Sequence, residues 1–405
     1  MTTTEAFDGL VCTDCDETFG VDTHGQCPAC GGVVTPRYDL DEETVVQGLV
    51  DPDAVPLPFT REVRVTASEG ATPLVAAGRL ADEMGVASLS IKDEGRNPTG
   101  TVYDRGMSLA VTAADRDGTE PLALAAAGNA GQSAAAYAGR IDARSYAFVP
   151  SRTAFSNKAL VNVHGGEMRV VGGRFDDAAA AVDEQLATDY HSLSAFETAY
   201  RHDGTKSLVY EVVVEDALAR GDLSARTASA VAEALPLSPP DALVVPVGTG
   251  ELVVAVARGL DELTSTGVLA DPPTVHPVQP AGCAPIVSAH SASAETTEPW
   301  ETPDTIVGEL EIPDPAGGDL ALDALAAVGG EGVTVSDDDA LESAVTVAQT
   351  EVLEVGGAGG VALAGAWDLA ESGELDGDDR VVVVNTDAGV KTPDVLRSHL
   401  MGKGI

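Results

Sequence analysis

Short apolar runs alternate along most of the chain with longer Ala-rich stretches. From about residue 61 onward, the apolar runs have the length of buried strands and the Ala-rich stretches have the length of helices. Strands that are separated by helices are typical of parallel sheets that carry helices on their faces. The sequence therefore predicts an α/β body whose strands include residues 87–91, 121–125, 242–246, 274–278 and 381–384.

The sequence also predicts the local structure of three other segments. Ser336 is followed by three aspartates, which predicts a helix N-cap with carboxylates in the first turn, where the helix dipole favours them. Residues 39–59 are acidic and contain several prolines, so we predict an extended linker here rather than a helix. Residues 288–303 are rich in Ala, Ser, Thr and Glu, and we predict an exposed loop.

The chain is strongly acidic. It has 65 Asp and Glu against 23 Lys and Arg in 405 residues, a formal net charge of -42. Such a surface repels DNA, RNA and anionic lipid, which argues against nucleic-acid and membrane partners. Because 44% of the residues are apolar, the acidity belongs to a folded protein rather than a disordered one. We interpret the charge as adaptation to a cytoplasm with a high salt concentration.

The length of the chain limits the number of domains, and its apolar runs and first residues indicate the compartment. At roughly 150 residues per domain, the chain should contain two or three domains. No apolar run approaches the roughly 20 residues of a membrane span, and the first ten residues do not resemble a signal peptide. We therefore expect a soluble, cytoplasmic protein.

Two Cys-x-x-Cys pairs lie near the N-terminus. Cys12 with Cys15, and Cys27 with Cys30, are separated by 11 residues. Four thiolates at this spacing can bind one tetrahedral zinc ion and leave no open position for chemistry. We predict a structural zinc ribbon over residues 1–38. The alternative is a reduced cysteine cluster without metal.

A glycine-rich turn follows the strand predicted at residues 242–246. Gly248, Thr249 and Gly250 precede a helical stretch, and bare backbone N–H groups at a helix N-terminus can form a cup for phosphate. As a dinucleotide fingerprint the turn is incomplete, since it lacks the third glycine and an acidic residue about 20 positions further on. The alternative is an ordinary turn between a strand and a helix.

Longer motifs point to one enzyme family. Residues 69–75 read Glu-Gly-Ala-Thr-Pro-Leu-Val, and residues 91–107 read Ile-Lys-Asp-Glu-Gly-Arg-Asn-Pro-Thr-Gly-Thr-Val-Tyr-Asp-Arg-Gly-Met. On these motifs the chain closely resembles the threonine synthases, which are pyridoxal-phosphate (PLP) enzymes of fold type II. The N-terminal ribbon resembles one that some threonine synthases carry. Further matches, in the family's order, are residues 128–129, 172–178, 204–206, 245–250, 278–285 and 385–391.

The resemblance implies an architecture like that of the tryptophan synthase β subunit. Residues 60–405 would form two α/β domains with parallel sheets, preceded by the ribbon and the linker. The smaller domain would take up about residues 105–200. The larger domain would combine residues 60–104 with residues 201–405.

The resemblance also implies a cofactor site. The loop at Asn129 resembles the family's substrate loop, and Gly248, Thr249 and Gly250 resemble its phosphate cup. Thr386 stands where the family hydrogen-bonds the pyridine nitrogen of PLP. The implied cofactors are PLP and a structural zinc ion, and the implied ligand is a small, amino-acid-like molecule. Because the family is often dimeric, we expect a homodimer.

The chain departs from the family's pattern where the chemistry takes place. Tyr103 stands at the position of the Schiff-base lysine, and a phenol with a pKa near 10 can neither form an imine nor act as a good general base. Ala127 and Ala130 replace hydroxyl residues of the substrate loop. Glu251 adjoins the phosphate cup and would repel a phosphate, and Asp387 replaces a glycine. We therefore assign no catalytic residue and doubt that PLP binds.

These observations leave three hypotheses for function. The first is a threonine synthase-like pseudoenzyme that serves as a small-molecule sensor, a scaffold or a partner of an active paralogue, because the losses fall on ligand-contacting motifs while framework motifs survive. The second is an active threonine synthase or hydroxy-amino-acid lyase with a relocated Schiff-base lysine. The third is a different reaction on the same body that uses a metal or another cofactor; only the ribbon could support it, and the saturated ligand set of the ribbon argues against catalysis there. A relocated lysine would have to be one of Lys92, Lys158, Lys206, Lys403 and, as the first to examine, Lys391.

Overall fold

The computed structural model describes residues 3–23, 25–118, 120–186 and 189–402. Its sheets are a small antiparallel sheet near the N-terminus and two larger sheets. The strands are, in chain order, β1 (Phe7–Cys12), β2 (Thr18–Phe19), β3 (Val34–Tyr38), β4 (Leu74–Ala76), β5 (Ser88–Asp93), β6 (Leu122–Ala125), β7 (Ser145–Pro150), β8 (Glu167–Val171), β9 (His191–Ser192), β10 (Ala242–Pro246), β11 (Thr274–Pro280), β12 (Val333–Val335) and β13 (Arg380–Asn385).

The helices cover the faces of the two larger sheets and connect their strands. They are, in chain order, α1 (Glu42–Val50), α2 (Gly78–Met84), α3 (Tyr103–Asp117), α4 (Asn129–Arg140), α5 (Phe155–Val163), α6 (Phe175–Gln185), α7 (Arg201–Thr205), α8 (Ser207–Arg220), α9 (Ala228–Ala234), α10 (Glu251–Ser265), α11 (Pro285–Ser291), α12 (Gly318–Val328), α13 (Asp337–Glu351), α14 (Gly357–Ser372) and α15 (Pro393–Gly402).

The sheets have simple topologies. The N-terminal sheet has the antiparallel order β2-β1-β3. The largest sheet has the order β12-β11-β10-β13-β5-β4, in which only the edge strand β4 is antiparallel to its neighbour. The third sheet has the order β8-β7-β6-β9 and is entirely parallel. These two parallel sheets with covering helices confirm the predicted α/β fold class.

The predicted strands and the predicted helix start are confirmed. Each of the five strands expected from the apolar runs is present, and the largest sheet buries every residue of β10, as expected of a strand covered on both faces. The Ser336 hydroxyl accepts a hydrogen bond from the Asp339 N–H and caps α13. The third sheet lies within residues 122–192, and the largest sheet uses residues on both sides of that segment.

One local prediction is wrong, and another is wrong only at its start. The segment predicted to be an extended linker contains α1, whose Asp41 side chain caps the Thr44 N–H and whose residues Val45 and Leu49 are buried. The prolines that suggested extended backbone all follow this helix, so they do not interrupt it. The predicted exposed loop is confirmed for residues 292–302, which lie outside helices and strands and are mostly exposed, whereas residues 288–291 belong to α11, where Pro285 stands in the first turn.

Close packing under the largest sheet depends on glycine. A Cβ atom on Gly360 of α14 would lie 2.3 Å from the Ala340 carbonyl oxygen of α13, and one on Gly365 would lie 2.4 Å from Val278. The Gly- and Ala-rich face of α14 therefore lets its backbone approach both α13 and β11. In the part of the chain that the structure describes, no helix combines the length and the apolar character needed to cross a membrane.

Candidate functional site

The four N-terminal cysteines converge at one point. The Sγ atoms of Cys12 and Cys30 are 3.5 Å apart, those of Cys15 and Cys30 are 3.5 Å apart, and those of Cys15 and Cys27 are 3.7 Å apart. A tetrahedral zinc ion with Zn–S bonds of about 2.3 Å would require sulfur–sulfur edges of about 3.8 Å. The cluster therefore fits a structural zinc ion. His24, predicted to be a surface residue between the pairs, lies outside the described residues.

A small cavity lies beyond the carboxyl ends of the parallel strands, which is where α/β sheets bind ligands. Its volume is about 50 Å³. The cavity brings together most of the residues that the sequence analysis proposed as a cofactor site, and Gly250 follows directly in the chain. The lining residues used below are Tyr103, Asn129, Gly248, Thr249, Glu251, Glu309 and Thr386.

Tyr103 is the first residue of α3 and its ring forms part of the cavity wall. The Arg201 guanidinium lies over the ring, 5.3 Å from its centroid, as in a cation–π contact. Burial and the nearby Glu251 carboxylate raise the pKa of the Tyr103 phenol to about 12. The phenol is therefore neutral near pH 7 and is unsuited to proton abstraction.

The glycine turn leads into α10. Gly250 has φ of +90°, and a Cβ atom there would lie 2.9 Å from the Gly317 carbonyl oxygen, so this position requires glycine. Glu251 follows as the first residue of α10, and its Oε2 accepts a 2.7 Å hydrogen bond from Nη2 of Arg201. Burial raises the pKa of Glu251, and the Arg201 charge opposes that rise. A phosphate in this turn would lie beside a buried carboxyl group.

Asp387 lies behind Asn129. The Asn129 amide donates a 3.0 Å hydrogen bond from Nδ2 to Oδ2 of Asp387. A Cβ atom on Gly356 would lie only 2.1 Å from Oδ1 of Asp387, so the carboxyl group occupies space that a side chain at Gly356 would need. Burial raises the pKa of Asp387 to about 6 although Lys391 and Asn129 lower it.

Glu309 adds another carboxyl group to the cavity wall. Burial and the charge of Asp387 raise its pKa to about 7. The sequence reasoning missed both Glu309 and Arg201. Glu309 belongs to no motif and gave no signal, whereas Arg201 precedes the family-like run at residues 204–206 and could have been found there.

None of the described lysines lines this cavity. Lys391 is closest to the expected chemistry, but its Nζ donates a 2.9 Å hydrogen bond to Oε1 of Gln132. Burial lowers the pKa of Lys391 to about 8. Lys92 and Lys206 are buried in ion pairs with Glu211 and Glu262, respectively.

The two remaining lysines do not change this result. Lys158 donates from the surface to the Ser151 carbonyl oxygen. Lys403 lies outside the described residues.

A second cluster of charges lies on the same helix as Tyr103. The Arg105 Nε atom is 2.7 Å from Oε2 of Glu94, and its Nη1 atom is 2.8 Å from Oε1 of Glu211. Lys92 is 2.8 Å from the other oxygen of Glu211. Burial alone would raise the pKa of Glu211, but Arg105 and Lys92 outweigh burial and lower it. The buried charges of Arg105, Glu94, Glu211 and Lys92, called the framework cluster below, are thus paired with one another.

Comparison with known proteins identifies the family. The family model described as pyridoxal-phosphate dependent enzyme matches residues 65–387. The threonine synthase of Methanocaldococcus jannaschii is 30% identical over 402 residues, which cover 95% of this chain and 93% of that protein. The threonine synthase of Bacillus sp. is 31% identical over 354 residues, 87% of this chain and 92% of that protein.

Solved structures support the fold. Diaminopropionate ammonia lyase from Escherichia coli superposes with a TM-score of 0.68 at 15% identity and covers 100% of this chain and 99% of that chain. A fungal L-serine ammonia-lyase from Rhizomucor miehei superposes with a TM-score of 0.66 at 20% identity, covering 82% of this chain and 98% of that chain.

The fold and the matched segment define a class, the fold-type-II PLP enzymes. Within that class, this chain belongs to the pyridoxal-phosphate-dependent enzyme family and is threonine synthase-like. The residues of its cavity nevertheless fit PLP poorly. The wall has Tyr103 at the position for which the family resemblance implies a Schiff-base lysine, and buried carboxyl groups lie beside the glycine turn. The volume of about 50 Å³ is also far below the roughly 300–1,000 Å³ of small-molecule sites.

Proposed function

We propose that this chain is a catalytically degenerate member of the threonine synthase group, which binds a small ligand in its cleft and serves as a sensor. The observation that carries this proposal is Tyr103 with Arg201 stacked on it and Glu251 paired to the same guanidinium. The family resemblance puts Tyr103 at the position of the nucleophilic amine that a PLP enzyme needs and Glu251 beside its phosphate site. Neither need is met by a neutral phenol beside a carboxyl group.

Borohydride trapping tests this proposal. The full chain, purified in high salt, would be titrated with PLP, reduced with borohydride, digested and analysed by mass spectrometry, with an active threonine synthase treated in parallel. We expect no reduced lysine adduct and no threonine from O-phosphohomoserine. A stoichiometric adduct on one lysine, together with threonine formation, would overturn the proposal.

The second candidate is an active PLP enzyme with Lys391 as its relocated Schiff-base lysine. The observation in its favour is that burial lowers the Lys391 pKa to about 8, which increases the unprotonated, nucleophilic fraction near neutral pH. Against it, the Lys391 amine is held by Gln132 and does not line the cavity. In the trapping experiment this candidate requires an adduct that disappears in Lys391→Met.

We also propose that the ribbon holds one structural zinc ion and that the chain forms a homodimer. The converging cysteines support the first proposal, and dimerisation rests on the family resemblance alone. Metal analysis should find one zinc per chain, and Cys27→Ser should lower that content, because one of four thiolates is lost. A metal-free protein with full stability would contradict the zinc site. Light scattering in high salt would decide the oligomeric state.

A further inference from the structure

Buried acceptor oxygens without a partner cluster around the cavity. Among the described residues, Glu251 Oε1, Asn129 Oδ1 and Glu309 Oε1, all on side chains in the cavity wall, have no hydrogen-bond partner. Glu251 and Asn129 are only 5% and 4% exposed. Asp387 Oδ1 and Asn385 Oδ1 are also without a partner among these residues, but they lie against Gly356 and Gly359 at the start of α14 and their side chains do not line the cavity.

Such a cluster points to a missing donor. A buried acceptor left without a hydrogen bond destabilises the folded state, so native proteins contain few of them. Here three lie on side chains in the wall of one small cavity, and each of them is an oxygen that can accept a hydrogen bond. A ligand that satisfies them must donate hydrogen bonds from several directions.

The charge of the wall indicates the charge of that donor. Glu251 shares its carboxylate with Arg201 through Oε2, and its second oxygen, Oε1, is buried without a partner among the described residues. Glu309 and Asp387 add two buried carboxyl groups near Tyr103, and both act on the phenol in the same direction as Glu251. A phosphate brings only acceptors and negative charge, so it is the wrong complement for this wall. A cation with N–H groups is the right one.

We infer that the cavity binds a small primary ammonium ion, held by Glu251, Asn129 and Glu309. This inference deepens the proposed function, on which it rests, by naming the class of ligand that the cleft senses. One buried water needs roughly 10–15 Å³ of such volume. A cavity of about 50 Å³ therefore has room for an ammonium group with one or two carbon atoms.

A divalent metal ion is a weaker choice for the same wall. Magnesium and calcium require several oxygen ligands around one point. Within the described ranges, the N-terminal cysteines are the only group of three or more His, Cys, Asp and Glu residues whose ligand atoms converge. The acceptors of the cavity are spread around a volume rather than focused on a point, which suits an ammonium ion with three N–H donors.

Calorimetric titration with methylammonium chloride tests the inference on the full chain at a fixed, high KCl concentration. Tetramethylammonium chloride is the matched control, since it carries the same charge without any N–H donor. We expect one saturable methylammonium site per chain and at least about tenfold weaker binding of tetramethylammonium. Equal binding of the two ions, tighter binding of Mg²⁺ than of methylammonium, or no saturable methylammonium binding would each overturn the inference.

Substitutions place the site. Glu251→Gln and Glu309→Gln should each weaken methylammonium binding at least about tenfold, because hydrogen bonds to charged groups contribute about 1.5–3 kcal/mol. Asp82→Asn removes a charge from the exposed surface of α2 and should leave the affinity unchanged. If Glu251→Gln does not fold, Glu309→Gln alone decides.

The two proposals fail in different ways. A lysine adduct in the trapping experiment would contradict the proposed function. Absence of both an adduct and methylammonium binding would overturn this inference alone.

Discussion

Tyr103 and Arg105 are two residues apart on α3, yet they belong to regions built on opposite principles. Around Arg105, the buried guanidinium is matched by Glu94 and Glu211, and Glu211 is matched again by Lys92. Around Tyr103, buried carboxyl groups outnumber the cations that contact them, and several of their oxygens have no partner in the described structure. The charges of the framework cluster satisfy one another, whereas oxygens of the cleft still lack a hydrogen-bond donor.

The difference shows what each region does for the protein. A buried ion pair that loses one partner leaves a stranded charge, so the framework cluster cannot change without endangering the fold. The family resemblance implies that residues of the cleft depart from the family's pattern, while the fold is the one found in this class of enzymes. Retained framework motifs are therefore evidence of ancestry and folding, and they say little about catalysis.

Removing Arg105 should destabilise the protein more than any change in the cleft. Arg105→Met would strand the buried Glu94 and Glu211 carboxylates, and we expect a loss of about 3–5 kcal/mol in the free energy of unfolding. Denaturant unfolding in high salt measures it. The control is Arg96→Met. The Arg96 guanidinium is exposed and pairs with Asp93, so its removal should lower the free energy of unfolding by less than about 1 kcal/mol. Equal losses in the two variants would contradict the comparison.

The cleft should make stability depend on pH through Glu309 and Asp387. Their pKa values are raised to about 7 and about 6, so the folded state binds more protons than the unfolded state between about pH 4 and 7. The free energy of unfolding should therefore fall as pH rises through this window, by an amount on the order of a few kcal/mol.

Glu309→Gln should flatten this dependence, because the amide does not titrate. Denaturant midpoints collected across the window measure the slope, with Asp82→Asn as a surface control that leaves it unchanged. The opposite result would be a wild-type free energy of unfolding that rises between pH 5 and pH 7. It would show that the cleft carboxyl groups are already paired in the folded state.

Removing only the phenolic oxygen should have a small effect. Tyr103→Phe keeps the ring beneath Arg201 and the cation–π contact, so we expect a change of less than about 1 kcal/mol in the free energy of unfolding. Thermal unfolding of the two proteins side by side would measure this difference. A loss as large as that of Arg105→Met would mean that the phenol is part of the framework after all.

The sequence was informative where a local rule decides the outcome. Apolar runs predicted β10 and β13, and the serine before three aspartates predicted the start of α13, because burial and capping act over a few residues. The same reasoning failed at α1, because the prolines that suggested extended backbone lie after the helix, which buries Val45 and Leu49 in the core.

The cleft was less predictable than the fold. Family motifs indicated Tyr103, Asn129 and the glycine turn, and the structure does bring them to one cavity. Glu309 and Arg201 come from distant parts of the chain and meet only through tertiary packing, so no local pattern could pair them with Glu251.

The most direct test of the claim that this cleft has lost its PLP site is to measure PLP binding by two variants. Binding is monitored by the imine absorption band and by borohydride trapping. Tyr103→Lys restores an amine but leaves Glu251 beside the phosphate turn. Tyr103→Lys combined with Glu251→Ala also frees the Arg201 guanidinium for a phosphate. We predict no lysine adduct in the wild-type protein or in the single variant, and an adduct at residue 103 in the double variant. An adduct in the wild-type protein, or equal trapping by the single and double variants, would contradict the account.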